Sequence, residues 1–197
     1  LLPLLISRTS TMTEPTACCL PTSGYCARCD LLVGLPGLHV VDVEHDPRDR
    51  LVVSVESPEQ VMGCRSCGVV AHGHGRVEVR LVDAPSAGRP VWVVWRKRRW
   101  VCPEPTCPVQ TFVEQDERIA APRARLTTRA CWWAIDQLRT EHASVNGLRR
   151  QLGTGWRTVW EAVKPLLEAM AADETRFADV ARLGVDEHVW HHVSEKP

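Results

Sequence analysis

Apolar and polar positions alternate along four short stretches of the chain. Leu38–Asp46 (LHVVDVEHD) and Arg50–Ser57 (RLVVSVES) flank the turn Pro47-Arg48-Asp49 and predict a β-hairpin. Val77–Val82 (VEVRLV) and Val91–Trp95 (VWVVW) flank the turn-rich DAPSAGRP and predict two further strands. From residue 125 the period lengthens to that of a helix. The segment 125–139 places Leu126, Ala130, Trp133 and Leu138 roughly on one face, with Thr127 as N-cap. A shorter helix is expected over about 144–152, ending at Gly153. A third begins near Gly155 and carries Trp156, Val159, Trp160, Val163, Leu167 and Met170 at i, i+3, i+4 spacing. Pro165 is expected to kink or interrupt it.

Short helix, glycine-centred turn and amphipathic helix together outline a helix-turn-helix, whose last helix enters the major groove by its N-terminal turn. Thr154, Trp156, Arg157 and Thr158 would then face DNA, with Arg149 and Arg150 close by. Gly147 weakens the second helix by about 1 kcal/mol relative to Ala.

Cysteine spacing adds a metal site. Cys64-x-x-Cys67-Gly68 and Cys102-x4-Cys107 are two tight pairs separated by 34 residues. Each short spacer lets a knuckle aim two sulfurs at one ion, and four thiolates meet the tetrahedral demand of Zn²⁺. Gly68 suits the left-handed residue that closes such a knuckle, and the prolines at 103, 105 and 108 stiffen the second. The expected result is a zinc ribbon with a small antiparallel sheet and a structural Zn²⁺. Disulfides fit poorly, since the cysteine count of nine is odd and nothing suggests export. A redox Cys-x-x-Cys would need a βα context. His72 and His74 could replace a thiolate but read as solvated loop residues; Cys18, Cys19, Cys26 and Cys29 offer only an irregular second set. Cys131 reads as a small core side chain.

Charge, summed to zero over 24 basic and 24 acidic groups, is sharply segregated. Residues 1–63 and 161–197 are each net −4, while 76–100 are net +5 and 118–160 net +6. Clustered positive charge is the footprint of phosphate neutralisation, so double-stranded DNA is the expected partner. Within the first basic block, Arg96, Lys97, Arg98 and Arg99 lie on one strand between Trp95 and Trp100. Successive side chains of a strand point to opposite faces, so both faces become cationic and neither is a clean core face. Phosphate contacts answer that, and a charge-guarded edge strand is the alternative. No stretch approaches the roughly 18 apolar residues of a membrane span, and the apolar and Trp content excludes wholesale disorder.

The order of motifs resembles the N-terminal half of ISL3-type bacterial insertion-sequence transposases. The resemblance rests on CRSCG (64–68), the stretch 79–114, PRARLTTR (122–129), LGTGWRTVW (152–160) and LGVDEH (183–188). It implies a zinc finger and helix-turn-helix that bind the terminal inverted repeats of a mobile element. A ribonuclease-H-like catalytic domain with an acidic triad would follow, and Asp186 matches its first acid. Mg²⁺ would be needed only by the full-length enzyme, in which homo-oligomers are also expected.

The resulting expectation is an α+β chain: an irregular segment over 1–37 (with 1–11 outside the native coding frame), a zinc ribbon over 38–117, a helix-turn-helix domain over 118–175, and the truncated start of a catalytic domain over 180–197. It would bind DNA in the bacterial cytoplasm, at the nucleoid, without a complete active site. A zinc-containing helix-turn-helix transcriptional regulator is the alternative.

Overall fold

A computed structural model describes residues 24–182 and Gly184. The expected hairpin forms from β1 (His39–His45) and β2 (Leu51–Glu56), paired antiparallel. The next two strands are longer than the alternation alone suggests: β3 spans His72–Ser86 and β4 spans Arg89–Val101. A short β5 (Thr111–Val113) completes a five-stranded sheet of order β1-β2-β4-β3, with β5 against the far end of β4.

Two features depart from the sequence reading. The sheet is mixed, because β2 runs parallel to β4 over Val91–Trp95. The intervening chain, 57–71, loops out to build the first knuckle and returns through β3, a crossover that strand periodicity does not encode. In addition, the segment before residue 38 is not wholly irregular: Ala27–Val33 form a two-turn helix, α1. Its apolar Leu31 and Leu32 are exposed, which hides it from a periodicity search. A left-handed Gly34 closes it, and the Asp30 carboxylate accepts hydrogen bonds from His39 Nδ1 and the Val40 N–H, both at 2.7 Å. α1 is thereby pinned to β1.

Alternation on β4 sorts its side chains between two cores. Val91, Val93 and Trp95 face one side with Val53, Val55 and Leu81, closed by Leu35, Leu38, Ile119 and Ala120. On the opposite side Trp92 meets Val82 and the helices. Those helices are α2 (Thr128–Thr140), α3 (Val145–Gln151) and α4 (Trp156–Ala172), followed by a 3₁₀ turn at Glu174–Phe177. Thr127 caps α2 as expected, its hydroxyl accepting the Ala130 N–H at 3.1 Å; Ser144 caps α3 through the Gly147 N–H. α4 continues through Pro165, which neither ends nor splits it. Pro165 is exposed, and the packing of Val159 and Val163 outweighs one missing backbone bond.

Sheet and helices interlock across the boundary expected at 117/118. The Val82 N–H donates to the Arg125 carbonyl at 2.8 Å and the Thr127 N–H to the Val82 carbonyl at 2.9 Å, so residues 125–127 extend the sheet beyond β3. Beneath this junction Asp83 is fully buried, accepting from the Thr127 hydroxyl at 2.6 Å and from Arg129 Nε at 2.8 Å. No helix among the described residues is long and apolar enough to cross a membrane.

Candidate metal centre and nucleic-acid interface

Two knuckles bring the four cysteines of the paired motifs together. In the first, the Cys64 N–H donates to the Val69 carbonyl at 2.8 Å and the Gly68 N–H returns to the Cys64 carbonyl at 2.9 Å. Gly68 has φ +76°, the left-handed conformation the motif anticipated. In the second, the Cys102 N–H donates to the Gln110 carbonyl, and the Glu104 carboxylate accepts from both the N–H and the hydroxyl of Thr106.

The sulfurs of Cys64, Cys67, Cys102 and Cys107 all lie within 4.8 Å of one another. Cys64 Sγ is 3.7 Å from Cys107 Sγ, and Cys67 Sγ is 3.5 Å from Cys102 Sγ. A zinc tetrahedron with Zn–S of about 2.3 Å has sulfur–sulfur edges of about 3.8 Å, whereas a disulfide is about 2.05 Å. The donor set therefore fits a structural Zn²⁺. Electrostatics fit as well. Backbone N–H groups of Cys67 and Ser66 draw the Cys64 thiol down to about 6, while burial pushes Cys102 up to about 12. A divalent cation supplies the opposite charge that lets all four exist as thiolates. His72 and His74 are exposed and stand outside the cluster, the only group of metal-binding type among the described residues. Cys18, Cys19, Asp186 and the histidines at 188, 191 and 192 lie outside the described residues.

The cationic strand is more inward-looking than its sequence implies. β4 is the central strand, so the edge-strand alternative is set aside. Trp95 and Trp100 are buried, and Trp100 stacks on Phe112. Lys97 is a correction to the DNA-facing set: it is buried, its Nζ 4.1 Å from the centre of the Trp95 ring and 2.7 Å from Gln115 Oε1. Burial lowers its pKa, and the long aliphatic stem serves as core. Arg96 pairs with Glu56 at 3.2 Å, and Arg98 donates to the Ser57 carbonyl. Glu56 also accepts from Arg76 and from the Tyr25 hydroxyl. Arg99 is half-buried.

The helix-turn-helix geometry follows the sequence closely. Gly153 has φ +61°; its N–H donates to the Arg150 carbonyl and the Thr154 N–H to the Arg149 carbonyl, the paired bonds of a Schellman motif. A Cβ built on Gly153 would stand 2.9 Å from Pro90 Cβ, so this turn is seated directly on the sheet. α4 starts at Trp156 behind Gly155, which supplies no side-chain cap. Trp156 is 47% exposed and stacks on Trp160; Arg157 is exposed and Thr154 and Thr158 half-exposed, all clear of the Val159–Val163 core. Arg150 is exposed, while Arg149 bonds Asn146 at 2.6 Å. The basic segment of β4 and the start of α4 are not one patch. The turn rests on Pro90, and Arg98 lies eight residues on, about 26 Å along the strand.

Sequence reasoning overlooked Arg123 and Arg125, exposed on the loop before α2. Their signal was the net charge of the block, which does not say which cations the protein already neutralises.

Two family models match the chain. The zinc-finger of transposase IS204/IS1001/IS1096/IS1165 matches residues 60–107, and the helix-turn-helix domain of transposase family ISL3 matches residues 117–167. No curated protein and no solved structure matches it.

Proposed function

Because the chain belongs to the ISL3 family of transposases, we propose that it is the DNA-binding region of such an enzyme and recognises the terminal inverted repeats of a mobile element for DNA transposition. The observation that carries this reading is the exposed start of α4. Thr154, Trp156, Arg157 and Thr158 follow a Schellman turn and take no part in the buried core. A helix held this way can insert its first turns into a major groove and bring side chains to base edges. Arg150 and Arg99 supply sequence-independent phosphate contacts, while Arg96, Arg98 and Arg149 hold their present protein partners unless a duplex competes for them.

Zinc has no part in base reading here. Bound by Cys64, Cys67, Cys102 and Cys107, it would fix the far end of β3 and β4 and so stabilise the sheet on which the helix-turn-helix turn sits. In the cell the protein would act at the nucleoid, in the bacterial cytoplasm.

The test is equilibrium binding of the zinc-loaded chain to duplexes bearing the element's terminal repeats and to scrambled controls of equal length. The reading expects tighter binding to the repeats, lost on Arg157→Ala with Trp156→Ala. Equal affinity for repeat and scrambled duplexes would overturn recognition of the ends.

A further inference from the structure

We propose that Arg123 and Arg125 form a phosphate clamp beside α4, gripping the DNA backbone along one wall of the groove the helix enters. This rests on the DNA-binding reading above and adds residues it does not use.

α4 brings little free charge of its own. Its two outward cations are each matched one turn later by an acid, Arg157 with Glu161 at 2.5 Å and Lys164 with Glu168 at 3.6 Å. Neutralising phosphates therefore falls to cations on neighbouring elements. A cleft of about 570 Å³ separates α4 from the loop before α2, and Arg123, Arg125, Trp132, Thr158, Glu161 and Pro165 line it. Against the two arginines stand Glu117 and Glu161, and Glu161 is already matched by Arg157, so positive charge is in excess. Among the described residues neither arginine takes part in an ion pair, unlike Arg50, Arg76, Arg89, Arg96 and Arg129.

Position around the helix supports the assignment. At 3.6 residues per turn, Thr158 on the cleft side is about 160° from both Trp156 and Trp160. The outward face carrying Arg157 lies between these two flanks. A helix in a groove about 12 Å wide has a phosphate backbone on each side, and the arginines occupy the Thr158 side.

The loop itself points the same way. The Ala124 N–H donates to the Ala121 carbonyl at 3.1 Å, with Pro122 second and Arg123 third in the turn, and Arg123 holds φ +63°. That is a glycine's conformation, which an L-residue occupies at a steric cost. A cation stands where glycine is the easier fit.

Arg123→Gly separates the two roles, because it relieves the backbone while deleting the charge. Binding of wild type, Arg123→Gly, Arg125→Ala and the double variant to a mixed-sequence linear duplex would be measured across a salt series, with Arg28→Ala on α1 as a charge-matched control. The clamp predicts that the double variant lowers the slope of log K against log salt by about 2, each single by about 1, with the control unchanged. It also predicts that Arg123→Gly melts no lower than wild type. A double variant with the wild-type slope overturns the clamp and leaves DNA binding standing. A wild-type chain that leaves the duplex free overturns both.

Discussion

Asp83 carries the junction between sheet and helices in a single side chain. Fully buried, it takes hydrogen bonds from the Thr127 hydroxyl and from Arg129, which is 39% exposed. Asp83→Ala would leave the Arg129 guanidinium with the Val33 carbonyl as its remaining acceptor and the cap hydroxyl without its own. The expected loss is about 2–3 kcal/mol in chemical denaturation, below the 3–5 kcal/mol of a fully buried pair because Arg129 keeps part of its surface in water. Cys131, packed against the helical core, is a subtler case, since burial pushes its thiol up to about 11. An unfolded thiol titrates near about 8.5, so the folded state favours the protonated form. That contribution is whole below about pH 8.5 and is lost as pH rises through 11. Cys131→Ala should flatten the decline in denaturation midpoint over that interval, and an unaltered pH profile would refute the assignment. Cys131 was already legible as a small core side chain, whereas the role of Asp83 was not. The sequence shows Asp83 as one acid in a basic block, and only the fold places it under Arg129.

At the scale of elements, local chemistry made most of the architecture legible. Thr127, Gly153 and Gly155 marked helix ends because capping and left-handed geometry are local demands, and the paired cysteines marked both knuckles for the same reason. What escaped was non-local. The parallel β2–β4 pairing, the inward turn of Lys97 and the seat of the helix-turn-helix on Pro90 depend on partners far away in sequence. Gly153 shows the two kinds of constraint meeting at one residue. Its φ of +61° excludes most side chains by local sterics, and Pro90 excludes a Cβ by contact at 2.9 Å. Gly153→Ala should therefore cost more than the about 1–2 kcal/mol of left-handed backbone alone, by a further 1–3 kcal/mol or so of overpacking. A parallel Pro90→Gly background, which removes both the Cβ and the Cγ that a Gly153 Cβ would meet, checks the split: it should recover the packing part and leave the backbone part.

At the scale of the whole molecule, one strand links the three buried clusters found among the described residues. β4 gives Trp92 to the helical core and Val93 and Trp95 to the sheet core, and the chain leaves it directly into Cys102 of the metal cluster. Releasing the metal would leave four sulfurs crowded within 4.8 Å with no cation between them. The knuckles hold few apolar contacts of their own: among the described residues Val109 and Phe112 pack against the cysteines, so besides backbone pairing and the Trp100–Phe112 stack little holds that end. Fraying would then run along β3 and β4 toward Val82 and Trp92, where the helices attach. The expectation is one bound zinc per chain by elemental analysis and, on chelation, a single lowered unfolding transition reported alike by sheet and helix signals, with DNA affinity falling in step. If stripped protein keeps a helix-turn-helix that melts at its original temperature, the metal serves the ribbon alone and the shared strand does not couple the two.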